Sequence, residues 1–70
     1  MTDTMDIEVN GKTRRVPAGC TVDALLEELD LDRRMVVVEL NRQILRATEL
    51  AQMPLHPGDR LELVHFVGGG

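Results

Sequence analysis

Four apolar residues, Val22, Leu25, Leu26 and Leu29, recur at the i, i+3, i+4, i+7 spacing of one helical face, and they carry the principal helical signal of the chain. Such a stripe must be buried, so the rest of the sequence has to supply a surface for it. What it supplies is strands. Met5-Asp6-Ile7-Glu8-Val9 alternates apolar and polar residues, Asn10-Gly11 provides the two positive-φ residues of a tight hairpin, and Lys12 to Val16 returns. Met35 to Leu40 is a dense β-branched run of central-strand type, Asn41-Arg42 reads as a turn into a short Gln43-Ile44-Leu45 strand, and Arg60 to Val67 reads as the last strand. Pro17-Ala18-Gly19 and Pro54-Leu55-His56-Pro57-Gly58-Asp59 are breaks between elements. Thr21 is placed to cap the main helix, with Asp23 at its positive end and Arg33-Arg34 beyond its negative end. Ala47 to Met53 predicts a single helical turn with Thr48 as its cap.

The order β-β-α-β-β-β, with one helix to bury, predicts an α+β fold of β-grasp type: a four- to five-stranded mixed sheet packed on one main helix. Residues 1–67 make up this domain and residues 68–70 a flexible glycine tail. At 70 residues the chain is near the lower limit for an unstapled core. Cys20 is its only cysteine, which excludes an internal disulfide, and Cys20, His56 and His65 are too scattered for a structural zinc site. The unpaired thiol, the polar start Met1-Thr2-Asp3-Thr4 and the lack of a long apolar stretch predict a cytoplasmic protein that does not enter a membrane. A formal net charge of -4, with Phe66 as the only aromatic residue, argues against nucleic-acid binding. It suits a small acidic partner of a larger basic surface.

Strand periodicity divides the apolar residues between two faces. If Ile7, Val9, Val36, Val38, Leu40, Leu61 and Leu63 face the helix, then Val37, Val64 and Phe66 point to the opposite, uncovered face, in company with Asp6, Glu8, Glu39 and Glu62. That predicts an apolar docking patch with an acidic rim, and Val37, Glu62, Val64, Phe66 and Val67 are the candidate partner-binding residues. Arg14 breaks the pattern: it shares parity with Val16 and must either snorkel or sit at a bulge.

Catalytic constellations are missing. Cys20 has no base partner in the sequence, His56 lies in a turn and His65 in a strand, and Asp30-Leu31-Asp32 lacks the glycine and distal glutamate of a calcium loop. The chain does not read as an enzyme. Its ending does invite chemistry: Val67 is followed by Gly68-Gly69-Gly70, which at a background of about 7% glycine occurs by chance about three times in ten thousand. Glycine at the end of a sheet adds no packing, so the value of these residues is sought in the backbone and in the Gly70 carboxyl. A thin tail of this kind threads a narrow channel, with no Cβ to obstruct attack at the terminal carbon. Activation of the carboxyl by a partner would then permit transfer to sulfur or to an amine.

The Asn10-Gly11 hairpin, Thr21-Val22 before Leu25-Leu26-Glu27-Glu28-Leu29, the Val36-Val37-Val38-Glu39-Leu40-Asn41 strand, Gly58-Asp59 before Leu61-Glu62-Leu63-Val64, and the ending His65-Phe66-Val67-Gly68-Gly69-Gly70 together resemble the ThiS family of thiamine-biosynthesis sulfur carriers. The resemblance spans essentially the whole chain. It implies a ubiquitin-like β-grasp protein with no bound cofactor, whose Gly70 is adenylated with Mg-ATP by a ThiF-like adenylyltransferase and converted to a thiocarboxylate. The sulfur is then expected to come from cysteine through a desulfurase and to pass to thiazole synthase, ThiG. On this reading Gly70 carries the sulfur, Gly68 and Gly69 thread the partners' active sites, and Cys20 takes no part. The sequence departs from many relatives after Asn41, where Arg42 replaces a glycine, Ile44-Leu45 a Val-Pro pair and Leu50 an aromatic residue. The alternatives are a molybdopterin-synthase small subunit, a non-covalent ubiquitin-like interaction module and a modifier joined to lysines.

Overall fold

The computed structural model describes residues 3–66. Over that span the chain forms β1 (Thr4–Val9), β2 (Lys12–Pro17), α1 (Val22–Glu28), a 3-10 turn at Arg33–Met35, β3 (Val36–Leu40), β4 (Gln43–Leu45), a 3-10 helix at Ala47–Gln52 and β5 (Arg60–His65). The strands make one sheet in the order β2-β1-β5-β3-β4. β1 and β5 run parallel and every other neighbouring pair antiparallel, which is the mixed β-grasp sheet the sequence predicts, with five strands.

Local chemistry explains where the elements start and stop. The β1–β2 turn puts Asn10 at φ 50° and Gly11 at φ 81°, the two left-handed positions whose twist matches that of the flanking strands. At α1, the Thr21 hydroxyl accepts from the Ala24 N–H at 3.1 Å. The other end closes on Asp30 at φ 59°, whose N–H donates to the Glu27 carbonyl (3.0 Å) while the Leu31 N–H donates to the Leu26 carbonyl (2.9 Å). This is a Schellman closure, with Leu31 packed against the core as its hydrophobic partner. Arg33 and Arg34, expected simply to follow the helix, lie in the 3-10 turn and pair with Asp23 (3.6 Å) and Asp32 (2.8 Å). Side-chain and backbone hydrogen bonds from Arg34 hold the Asp32 carboxyl down to about 2.

Thr48 is not the cap of the second helical segment. That segment begins at Ala47, after Arg46 in extended geometry, and the Glu49 carboxylate reaches back to accept the Arg46 N–H at 2.7 Å. Its purpose in the packing is Leu50, only 2% exposed. The core joins α1 (Val22, Leu25, Leu26) to the inner sheet face (Met5, Ile7, Val16, Val36, Val38, Leu61), with Leu50 and Leu55 closing the side. Val9, Leu40 and Leu63 complete that face as partly buried residues. The register of the β1–β2 pair is unbroken, Ile7 lying opposite Arg14, so no bulge relieves Arg14. It snorkels, reaching the Glu28 carboxylate at 3.4 Å.

The departure at Arg42 has a structural cost. Arg42 sits at φ 72°, a left-handed position where a Cβ crowds the carbonyl and glycine does not. Arg42→Gly is therefore expected to stabilise the domain by about 0.5–1 kcal/mol, after allowing for the greater entropy of glycine in the unfolded chain. The check is a urea titration, with a higher midpoint at unchanged slope.

Candidate docking face and tail exit

The outer face of the sheet carries the candidate site. Because β3 and β5 are antiparallel with Val37 opposite Val64 and Glu39 opposite Glu62, the residues of these pairs stand side by side on the face away from α1. Val64 is 57% and Phe66 52% exposed. Val37, expected to be fully wet, is half-buried beside Val64. A residue that sequence reasoning missed completes the patch: Ile44, opposite Glu39 on β4, is 71% exposed. In a three-residue strand no alternation is long enough to reveal the face, and Ile44 reads equally well as core.

The acidic rim is narrower than its residues suggest. Asp6 is held by Arg15 at 3.3 Å and Glu8 by Arg60 at 3.5 Å, both across adjacent strands of the same face. Glu39 and Glu62 form no ion pair among the described residues. They border a depression of about 330 Å³ that Glu8, Asn41, Arg42, Arg60 and Leu61 also line.

β5 delivers the chain to its end, and two asparagines hold it. β1 pairs with β5 only at Glu8–Arg60 and Val9–Leu61. Beyond that point the Asn10 side chain takes over as a substitute strand, accepting the Leu63 N–H at 2.8 Å and donating to the Leu63 carbonyl at 3.3 Å. Asn41 does the same at the strand's start, accepting the Arg60 N–H (2.9 Å) and donating to Asp59 (3.1 Å). On the β3 side the ladder continues to the Phe66 N–H, which donates to the Met35 carbonyl at 2.7 Å. The strand that leads towards the glycines is thus held on both sides as far as Leu63 and by the β3 side alone from there to Phe66. Val67, Gly68, Gly69 and Gly70, all singled out in the sequence, lie outside the described residues.

The remaining candidates stand apart from this face. Cys20 is half-buried at the entry to α1, where burial first and the Glu28 charge second push its thiol above the ordinary value. That is the opposite of an activated thiolate. His56 shapes the turn before β5, its N–H donating to Asp59 at 2.8 Å. His65 is exposed opposite Val36. Among the described residues no group of histidines, cysteines and carboxylates is placed to hold a metal ion, and no helix is long and apolar enough to cross a membrane.

Comparison with known proteins agrees with this geometry. Residues 7–70 match the model of the ThiS family. The sulfur carrier protein ThiS of Bacillus subtilis is 34% identical over 65 residues, covering 91% of this chain and 98% of that protein. A thiazole synthase of Paramagnetospirillum magneticum is 46% identical over 66 residues, 94% of this chain, which spans only 20% of that protein's length. The crystal structure of a ThiS thiamine biosynthesis protein from Geobacter metallireducens superposes with a TM-score of 0.80 at 33% identity, covering 94% of this chain and 100% of that one. With its five-stranded mixed sheet, single main helix and a family match over residues 7–70, the chain belongs to the ThiS family.

Proposed function

We propose that this protein is a sulfur carrier for thiamine thiazole synthesis, with the Gly70 carboxyl as its working group. The observation that carries this reading is the family match, which runs through Gly70 and so takes in the glycines as well as the fold. A carboxylate resists nucleophiles until one of its oxygens becomes part of a leaving group. A Gly70 oxygen attacks the α-phosphorus of Mg-ATP on a ThiF-like adenylyltransferase, pyrophosphate departs, and the acyl adenylate forms. The terminal sulfur of a persulfide that a cysteine desulfurase has charged then attacks the acyl carbon and displaces AMP, giving an acyl disulfide, and a second thiol attacks the outer sulfur of that bond, releasing the thiocarboxylate and leaving a disulfide on the donor side. Transfer of that sulfur to the substrate of thiazole synthase, with an oxygen from that substrate or from water taking its place on the Gly70 acyl carbon, returns the carboxylate, so the protein is a co-substrate of two enzymes and not itself a catalyst. The reactions take place in the cytoplasm.

The chain's own residues contribute presentation. The Asn10 and Asn41 side chains and the β3 ladder fix β5, Val37, Val64, Phe66 and Ile44 offer apolar area for docking, and Gly68 and Gly69 pass through channels too narrow for side chains. Thiazole synthase as the receiving partner is supported by its relatives, which include a chain of that name carrying a ThiS-like segment. Cys20 is a packing residue on this reading, and Cys20→Ala is expected to load sulfur at the wild-type rate. The test is complementation of a cell lacking its own thiazole sulfur carrier. Growth without thiamine is the expected result; no growth with the folded protein present and the partners intact contradicts it.

A further inference from the structure

β5 is held differently at its two ends. Near its start Leu61 is buried in the core and paired with Val9 on one side and Leu40 on the other. Past Leu61 the packing fades: Leu63 is only partly buried, and Val64, His65 and Phe66 are exposed. A segment with few buried contacts and exposed backbone hydrogen bonds opens at small free-energy cost. Pairing with β1 stops at Val9–Leu61, because Asn10 at φ 50° turns the chain away into β2. In a continued parallel ladder the Asn10 backbone carbonyl would accept the Leu63 N–H. Its side-chain oxygen accepts that N–H instead, at 2.8 Å, while the side-chain nitrogen donates to the Leu63 carbonyl at 3.3 Å. Asn41 makes a similar pair of bonds to Arg60 and Asp59, but there β1 and β3 already flank the strand. Asn10 has no such support: among the described residues its amide is the one hydrogen-bonding group that reaches β5 beyond Leu61 from the β1 side.

We propose, on the sulfur-carrier reading, that Asn10 is a positioning residue for sulfur loading, its amide keeping the exit end of β5 closed on the sheet in the form the adenylyltransferase accepts. It acts through Leu63. Without the amide the Leu63–Phe66 end is held by the β3 ladder alone, and the partner must wait for it to close. A partner that binds only the closed form sees its apparent affinity fall with the closed fraction, while turnover in the docked complex is unaffected. Loss of two hydrogen bonds of ordinary net strength moves an opening equilibrium about tenfold, which for an end already near balance lowers the closed fraction about threefold.

The experiment compares wild type, Asn10→Gly, Asn10→Asp and Thr21→Ala, each loaded by the adenylyltransferase with Mg-ATP, a cysteine desulfurase and cysteine over a range of carrier concentrations. Glycine suits both left-handed positions of the hairpin, so Asn10→Gly keeps the turn and removes both bonds. Asn10→Asp keeps the acceptor and loses the donor. Thr21→Ala removes the bond to the Ala24 N–H that caps α1, lowering global stability at a site away from β5. Asn10→Gly is expected to raise the KM for the carrier about threefold with kcat within about twofold of wild type. In the free protein its Phe66 N–H, whose bond to the Met35 carbonyl the substitution leaves in place, should exchange with solvent about threefold faster. Asn10→Asp should fall between wild type and Asn10→Gly on both measures. Thr21→Ala should show a lower urea midpoint with wild-type KM and wild-type Phe66 exchange. An unchanged KM in Asn10→Gly, an equal rise in Thr21→Ala, or a loss confined to kcat would overturn the inference. If the glycine variant does not fold, Asn10→Asp decides alone, and wild-type KM and exchange in that variant count against Asn10. Failure of the sulfur-carrier reading is distinguishable, since the wild-type chain itself would then not be loaded.

Discussion

Deleting Gly69 and Gly70 is expected to reduce thiocarboxylate formation by at least about 100-fold and to leave the folded domain as stable as before. The shortened chain still ends in a glycine carboxyl, so the chemistry of the group is unchanged and only its reach is altered. Two residues of extended chain span about 7 Å. A nucleophile displaced by even about 1 Å from its attack position can cost about 100-fold in rate, so a carboxyl withdrawn by this distance no longer meets the α-phosphorus of bound ATP. No described contact of the fold involves these two residues: the last buried residue of the described core is Leu61, and the last ladder bond among the described residues runs to the Phe66 N–H. The urea midpoint should therefore match wild type within about 0.5 kcal/mol, the usual range for changes away from buried features. Loading assayed by ATP-dependent AMP release, beside an unfolding curve for each protein, separates the two effects.

The second large effect is on stability. Leu25 is 0% exposed on the stripe that joins α1 to the sheet. Truncating it to alanine should cost about 2–5 kcal/mol through lost burial and the cavity left behind. In a domain of this size a single core rarely supplies more than about 3–5 kcal/mol of net stability. Leu25→Ala is therefore expected to be largely unfolded at physiological temperature, detectable as collapsed dispersion of its amide resonances. Ile44→Ser, at an equally hydrophobic position with 71% exposure, should shift stability by about 0.5 kcal/mol or less. The contrast separates the apolar residues that hold the domain from those offered to a partner.

What the sequence made legible was local. The Asn10-Gly11 turn, the Thr21 cap, the leucine stripe and the β-branched run of β3 depend on residues within a few positions of each other, and all four are present in the structure. The outer placement of Val64 and Phe66 followed from strand alternation, since β5 is long enough to show it. The insertion of β5 between β1 and β3 was not legible, because it depends on pairing across more than fifty residues. The Asn10 clamp on Leu63 was hidden for the same reason: Asn10 is fully accounted for as a turn residue until the distant strand is placed beside it. Arg14 left two alternatives, and only the unbroken register decides for snorkelling. Charges were the least legible feature. Asp6, Glu8, Glu39 and Glu62 look alike in sequence, and only the cross-strand positions of Arg15 and Arg60 separate those that form an ion pair among the described residues from those that do not.

The role proposed for Gly70 is that of a chemical handle that other proteins load and unload. Intact-mass measurement tests it most directly, on the full chain incubated with the adenylyltransferase, Mg-ATP, a cysteine desulfurase and cysteine. The expected product is a new species in which one oxygen has been replaced by sulfur, located by fragmentation at Gly70 and consumed when thiazole synthase and its other substrates are added. A chain whose mass stays unchanged under conditions that load another ThiS protein, or a sulfur that maps to Cys20, would contradict it.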